Sequence, residues 1–246
     1  MKVSVILPSY NERGSLEALI PALSDILDKE GYRDREIIVV DDNSPDGTAE
    51  AVRKLAQRDP GVRLIVRLKE RGLASAVQHG IQEAHGGVLV VMDSDFNHHP
   101  DDVPRLLREI DRYDIVVGSR YVPGGAMETS KPRYYLSFFF NLFIRLLLGL
   151  NSTDNLSGFF AVRKSVMDQF DVNGIFEGFG EFHIPFVYWA TKVKRFSLYE
   201  LPTVYRRRIY GKSKFRYFSN LMNYTWVVIR LKLGMFSWQR KVRVKI

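Results

Sequence analysis

The stretch Val88-Leu89-Val90-Val91-Met92-Asp93-Ser94-Asp95 decides how this chain is interpreted. Five apolar residues stop at two carboxylates, which predicts a buried parallel strand with charge at its carboxyl end. Ligands bind at that end of open α/β sheets. Because residues i and i+2 of a strand point the same way, Asp93 and Asp95 can converge on one Mg²⁺ or Mn²⁺ that also binds substrate phosphates. The stretch therefore indicates a metal-bound diphosphate, as in nucleotide-sugar chemistry.

Strand and helix patterns alternate through the first half of the chain. Apolar helix stripes such as Leu16–Leu27 separate the strand candidates, at residues 2–7, 36–41, 62–66, 88–92 and 114–118. This alternation predicts βαβ units and an α/β fold with a mostly parallel sheet.

Polar side chains follow several of these strands. Tyr10 can stack on a base, Glu12 can bind base or ribose, and Asp42 can accept a hydrogen bond from either. Asn97 is a candidate further metal ligand. His98-His99-Pro100 is interpreted as turn structure, because histidine is a softer ligand than Mg²⁺ prefers.

Cations are concentrated in the second half of the chain. Residues 1–125 have a net charge of −5 and residues 126–246 of +13, and no cysteine is present. Such segregation implies a large anionic partner: nucleic acid, an anionic membrane or a phosphorylated substrate. Arg120 follows a strand candidate, and the cluster 206–214 is suited to clamping phosphate. No P-loop or dinucleotide-binding fingerprint is present, and the lack of cysteine excludes zinc–thiolate sites.

Two segments are apolar, aromatic and basic. Residues 134–150 predict a helix that is marginal for crossing a bilayer and contains Asn141 and Arg145, so an interfacial helix is favoured over a spanning one. Residues 217–238 have the same character and end in a basic run, which suits an anionic membrane surface.

In this order, the motifs resemble those of family 2 glycosyltransferases with the GT-A fold, in the dolichyl-phosphate (polyprenyl-phosphate) mannose synthase group. The motifs that carry the resemblance are 7–12, 40–48, 92–100, 118–121 and 208–214. The resemblance implies a Rossmann-like, mostly parallel sheet with flanking helices in a domain at 1–215, and a basic amphipathic membrane-associating segment at 216–246.

The resemblance also assigns roles by position. The residues expected to bind the nucleoside are Pro8, Tyr10, Glu12, Val40 and Asp42. Asp93, Ser94 and Asp95 are expected to bind the diphosphate, the sugar and a divalent cation (Mg²⁺ or Mn²⁺). Asn97 is expected to be a further ligand of the cation. The residues expected to contact the phosphate of the donor or the acceptor are Arg120, Lys131, Arg133, Arg208 and Lys214. The residues expected to carry catalysis are Asp95, Arg120, Arg208 and Lys214. Glu181 receives no role, because its segment does not align with the family's acidic helix.

The implied reaction is inverting transfer of a hexosyl group, mannose from GDP-mannose, to dolichyl or polyprenyl phosphate. It would occur at the cytoplasmic face of a membrane, with peripheral or monotopic attachment, a small membrane-anchoring subunit as a candidate partner and no nucleic acid. The alternatives are a UDP-glucose-dependent polyprenyl-phosphate glucosyltransferase, a family 2 transferase with a glycan hydroxyl acceptor, and a non-catalytic basic membrane- or RNA-binding protein.

Overall fold

The first half of the chain alternates buried strands with helices. A computed structural model describes residues 1–178, 180–210 and 217–235. Its elements up to Ser119 are β1 (Val3–Ser9), α1 (Arg13–Lys29), β2 (Arg35–Asp41), α2 (Thr48–Ala56), β3 (Val62–Val66), α3 (Leu73–Glu83), β4 (Val88–Val91), α4 (Asp102–Glu109) and β5 (Ile115–Ser119). The five strands fall within two residues of the predicted ranges, because each is an apolar run bounded by turn residues.

The second half adds short strands and two long helices. Its elements are β6 (Ala126–Met127), α5 (Lys131–Leu148), β7 (Phe160–Arg163), α6 (Lys164–Met167), α7 (Val172–Ile175), α8 (His183–Tyr188), a π-helical turn (Trp189–Val193), β8 (Leu198–Pro202), β9 (Val204–Tyr205) and α9 (Tyr217–Lys232). The predicted boundary at 215/216 falls outside the described residues.

Seven strands form the central sheet in the order β3-β2-β1-β4-β7-β5-β8. Within the described chain, β7 is antiparallel to both of its neighbours, while the other pairs are parallel. A small second sheet pairs β6 with β9. The predicted α/β class with a mostly parallel sheet is confirmed. The insertion of β7 between β4 and β5 was not predicted, since a four-residue apolar strand carries no sign of its direction.

Apolar side chains cover both faces of the sheet. Ile6 and Val40 contribute to the cluster on one face, and Leu7 and Val39 to the cluster on the other. This division follows from the alternation of side chains along each strand. Helix α3 packs so closely on β1 that a Cβ at Gly80 would lie 2.4 Å from the Cγ2 of Ile6.

Helix α5 lies at the surface beside α9. It begins near Pro132, which suits a first turn, and ends at Gly149 in the left-handed region (φ 65°). Its inner face buries Asn141 and Ile144, while Leu146 is 72% exposed. Other large apolar side chains exposed on the two helices include Tyr135, Leu136, Phe139, Met222 and Trp226. Of the helices in the described ranges, none combines the length and the apolar character needed to span a bilayer.

Candidate active site

A cavity of about 800 Å³ lies where β1, β2, β4 and β5 reach their carboxyl ends. Parallel strands bring the residues that follow them to one edge of the sheet, so motifs far apart in sequence meet there. The residues singled out from the sequence that line this cavity are Pro8, Tyr10, Glu12, Asp42, Asp93, Ser94, Asp95, Asn97, Arg120, Arg133 and Arg208.

Two of the predicted residues lie elsewhere. Val40 is fully buried in the core, because its position on β2 points into the sheet's apolar face, so its side chain does not reach the cavity. Lys131 is exposed at the first residue of α5 and is not part of the cavity wall. Lys214 lies outside the described residues.

The floor of the cavity is acidic and is bridged by Arg208. Nη1 of Arg208 donates to Oε1 of Glu12 at 2.7 Å, and Nη2 donates to Oδ2 of Asp95 at 2.6 Å. Burial opposes the charge of Arg208, but Asp95 and Glu12 outweigh it and raise the pKa of the guanidinium. Burial and then the charge of Asp95 raise the pKa of Asp93. The floor therefore concentrates negative charge that a cation stabilises.

Asn97 supports Asp95 at this floor. Its side-chain nitrogen donates to Oδ2 of Asp95 and to Oη of Tyr205, both at 2.7 Å, and its backbone N–H donates to Oδ1 of Asp95. The amide oxygen of Asn97 is the side-chain atom that these bonds do not use.

Two carboxylates and an amide oxygen are the hard oxygen donors that Mg²⁺ and Mn²⁺ take, with further positions supplied by substrate phosphates. No cluster of three His, Cys, Asp or Glu side chains that could hold a metal occurs within residues 1–178, 180–210 and 217–235. Asp93, Asp95 and Asn97 thus fit an ion that is shared with a ligand rather than one caged by protein alone.

Tyr10 and Asp42 lie at the other end of the cavity. The guanidinium carbon of Arg71 lies 4.8 Å from the centre of the Tyr10 ring. Asp42 accepts from Nε and Nη2 of Arg67, and its second oxygen accepts from the backbone N–H of Gly72 at 2.8 Å. Asp42 therefore holds the loop that brings Arg71 over Tyr10.

The turns after three strands each contain a non-glycine residue with positive φ. Asn11, Asn43 and Phe96 have φ values of 55°, 54° and 64° and follow β1, β2 and β4. Asparagine tolerates this region, whereas a phenylalanine there costs on the order of 1 kcal/mol or more. The turn at Phe96 lies between Asp95 and Asn97, so the strain accompanies the geometry that brings these two side chains together.

Arg120 is held by a partner that sequence reasoning missed. Asp154, which is fully buried, accepts from the backbone N–H of Arg120 at 3.0 Å, from Nε at 2.7 Å and from Nη2 at 2.6 Å. Burial alone raises the pKa of Asp154, but the charge and hydrogen bonds of Arg120 outweigh it and lower that pKa. Asp154 occurs in the polar run 151–157, 34 residues beyond Arg120, and no local spacing links the two.

Tyr205 lines the wall beside Arg120, and the buried ring of His98 packs behind it. The guanidinium carbon of Arg120 lies 5.6 Å from the Tyr205 ring centre, and His98 packs against Tyr205 and stacks on Phe159 at 4.6 Å. Burial lowers the pKa of His98 to about 3, so the ring is neutral at pH 7. Tyr205 was not predicted as a site residue, because a tyrosine directly before the three arginines at 206–208 carries no local signal of its own.

The fold recurs in known enzymes. Glucosyl-3-phosphoglycerate synthase from Mycobacterium tuberculosis, crystallised with Mn²⁺, uridine diphosphate and phosphoglyceric acid, has a TM-score of 0.68 at 19% identity. The match covers 95% of this chain and 78% of that one. The complex of the same enzyme with Mn²⁺, UDP-glucose and phosphoglyceric acid has a TM-score of 0.70, at 19% identity over 95% of this chain and 80% of that one. The fold is thus the GT-A fold of nucleotide-sugar-dependent transferases.

Sequence similarity narrows the class further. Residues 4–170 match the family described as Glycosyl transferase family 2, and the chain belongs to that family of glycosyltransferases. Dolichol-phosphate mannosyltransferase of Pyrococcus furiosus is 41% identical, over 88% of this chain and 60% of its own length. Undecaprenyl-phosphate mannosyltransferase of Micrococcus luteus is 35% identical, over 87% of each chain. The dolichol-phosphate mannosyltransferase of Saccharomyces cerevisiae is 38% identical, over 68% of this chain and 63% of its own length. The chain thus spans about three fifths of the Pyrococcus and yeast relatives.

Proposed function

We propose that this protein transfers a mannosyl group from GDP-mannose to the phosphate of a dolichyl or other polyprenyl phosphate, with inversion, at a membrane surface. The observation that carries the proposal is the continuity of one cavity. Its floor holds Asp93 and Asp95, and its wall includes Leu136 and Phe140 of α5 and Leu221 of α9. A diphosphate and a lipid phosphate can therefore meet in a single site. The names of the three relatives support mannose and a polyprenyl phosphate as the substrates.

At the donor end, Asp93, Asp95 and Asn97 would hold a divalent cation together with the diphosphate. When bound, that cation neutralises charge on the departing nucleoside diphosphate. Arg208 supplies a second positive charge at the same floor. Tyr10 offers its ring to the base.

At the acceptor end, the phosphate of the lipid is already ionised at neutral pH. One of its oxygens forms a bond to the anomeric carbon of the sugar, while the bond from that carbon to the diphosphate oxygen breaks. The electron pair leaves with the nucleoside diphosphate, so no general base is needed. Arg120 and Arg133, on the α5 side of the cavity, hold the lipid phosphate in line. Catalysis then comes from positioning and charge stabilisation.

The lipid chain is placed by the helices. The exposed apolar faces of α5 and α9 suit insertion into the surface of a bilayer, and the basic second half of the chain suits anionic headgroups. This arrangement keeps the mouth of the cavity at the depth where a lipid phosphate lies.

The test is a panel of nucleotide sugars, GDP-mannose and UDP-glucose among them, with farnesyl phosphate as a short acceptor and with or without Mn²⁺. Lipid-linked mannose, formed only with the metal, is expected. Transfer of glucose instead of mannose would identify UDP-glucose as the donor. Transfer to free saccharides without any lipid-linked product would show that polyprenyl phosphate is not the acceptor. Asp95→Asn is expected to abolish turnover while the circular dichroism spectrum is retained. Asp25→Asn, at an exposed acid of α1, is the matched control and should remain active.

A further inference from the structure

The ion pair between Arg120 and Asp154 is more elaborate than a salt bridge that only stabilises a fold. Asp154 holds Arg120 by its backbone as well as by two guanidinium nitrogens, Nε and Nη2. Nη1 is the guanidinium nitrogen that this pair does not use. Arg120 is 8% exposed, and it lines the cavity. A planar guanidinium fixed at two nitrogens can present the third in one direction only.

The ring faces around Arg120 restrict it further. Its guanidinium carbon lies 5.3 Å from the ring centre of Tyr121 and 5.6 Å from that of Tyr205. Two aromatic faces and one carboxylate thus surround a single cation. The side chain is organised before any ligand arrives, and such preorganisation gives a charged donor its value in a binding site.

The loop that carries Asp154 is itself anchored at both of its sides. On the sheet, the carboxylate of Glu200 accepts from the backbone N–H groups of Thr153 and Asp154 and from the hydroxyl of Thr153, all at 2.8–2.9 Å. On α5, the side-chain oxygen of Asn141 accepts from the backbone N–H of Asn155 at 2.7 Å.

This second anchor accounts for the polar Asn141 in an otherwise apolar helix. It is 2% exposed, and its nitrogen donates to the carbonyl of Ser137 one turn earlier. The hydroxyl of Tyr121, the residue after Arg120, donates to the hydroxyl of Ser137 at 2.7 Å. The helix whose outer face is apolar is thus connected to Arg120 from two directions.

We propose that Asp154 is a positioning residue, which fixes Arg120 on the α5 side of the cavity so that Nη1 binds an oxygen of the acceptor phosphate. The assignment of that phosphate to the acceptor lipid rests on the proposed function. Asp154 acts on the phosphate through Arg120, while Glu200 and Asn141 hold its loop in register with the sheet and with α5.

The experiment measures binding as well as turnover. The full chain is titrated with farnesyl phosphate, and separately with GDP in the presence of Mn²⁺, by isothermal calorimetry. Asp154→Asn removes the charge that orients Arg120, and we expect it to weaken farnesyl phosphate binding about 10- to 100-fold, by analogy with residues that orient metal ligands. Binding of GDP with Mn²⁺ should change less than about 2-fold, because Asp93, Asp95 and Asn97 are untouched.

A double-mutant cycle separates positioning from general stability. Arg120→Lys should weaken farnesyl phosphate binding to a similar extent, and adding Asp154→Asn to it should cost less than about 2-fold more. If the losses of farnesyl phosphate affinity in the two single variants multiply in the double variant, the proposal is wrong. It is also wrong if Asp154→Asn binds farnesyl phosphate with the affinity of the wild type.

Glu36→Gln is the matched control. Glu36 is a buried carboxylate that accepts from Arg63, but it lies near the amino end of β2, at the opposite edge of the sheet. It should lose stability and keep its affinity for farnesyl phosphate. If Glu36→Gln loses as much affinity for farnesyl phosphate as Asp154→Asn does, the effect of Asp154 is on stability alone and the proposal is wrong.

If Asp154→Asn does not fold, Glu200→Gln carries the test, because it loosens the loop while leaving the pair in place. It should weaken farnesyl phosphate binding several-fold with GDP binding unchanged, and unchanged affinity for farnesyl phosphate would overturn the proposal. A wild-type protein that binds farnesyl phosphate but makes no lipid-linked product would refute the proposed reaction alone. The binding cycle would then still decide the role of Asp154.

Discussion

Arg208 bridges two carboxylates of the cavity floor, so Arg208→Gln removes the positive charge that Glu12 and Asp95 share. Removing one partner of a fully buried ion pair costs about 3–5 kcal/mol. Arg208 is 20% exposed at its side chain, and solvent screening reduces that cost to about 2 kcal/mol. In a chain of 246 residues this loss lowers the unfolding midpoint by about 4–8 °C.

A divalent cation at Asp95 should compensate for the lost charge. In thermal unfolding followed by circular dichroism, MnCl₂ is therefore expected to raise the midpoint of Arg208→Gln more than that of the wild type, relative to EDTA. Arg208→Lys keeps the charge and should lose less stability than the glutamine variant. A variant that unfolds at the wild-type temperature in EDTA, or gains no more than the wild type from MnCl₂, would refute the reasoning.

Three other perturbations probe the sheet, the metal site and the surface. Burial raises the pKa of Glu36, but bonds from Ser4, His85 and Arg63 outweigh it and lower that pKa from 4.5 to about 2. A lowered pKa stabilises the fold above the unfolded value, by about 3 kcal/mol here, and this stability is lost as pH falls from 4.5 through 2. The midpoint difference between the wild type and Glu36→Gln should therefore narrow over that window, and a constant difference would contradict the assignment. Tyr205→Phe removes the hydroxyl that accepts from Asn97, so the Mn²⁺ concentration for half-maximal activity should rise about 10-fold, and an unchanged Mn²⁺ dependence would count against Asn97 as a ligand. Leu146→Glu, at the exposed face of α5, should weaken co-sedimentation with anionic vesicles about 30- to 100-fold through lost apolar area and charge repulsion, whereas Leu68→Glu, at an equally exposed leucine outside α5 and α9, should not.

Local signals were sufficient for much of the fold and part of the site. The apolar runs before Asp42 and Asp95 are continuous and end in turn residues, so both strands and their carboxyl ends could be located from sequence. Once the sheet was taken as parallel, the placement of Tyr10 and Asp95 at the same edge of the sheet followed from topology alone. The helix at 131–148 was also readable, because its apolar, aromatic character extends over several turns.

Hydrogen-bond and ion-pair partners that are far apart in the sequence could not be predicted from such local signals. Asp42 stays a predicted nucleoside ligand that lines the cavity, but its hydrogen bonds from Arg67 and Gly72 could not be predicted from the sequence. Arg120 was expected to face a phosphate, and its orientation depends on Asp154, which reaches it only because β7 lies beside β5.

The residue types at the strand ends could be placed from the amino-acid sequence, because strand periodicity and chain polarity are local properties. Long-range contacts in the folded chain set which polar groups pair: Arg208 with Glu12 and Asp95, Asp154 with Arg120, and the amide of Asn141 with the backbone of Asn155. Electrostatic pairing depends on distance in space and on burial, and neither is encoded in the spacing of residues along the chain.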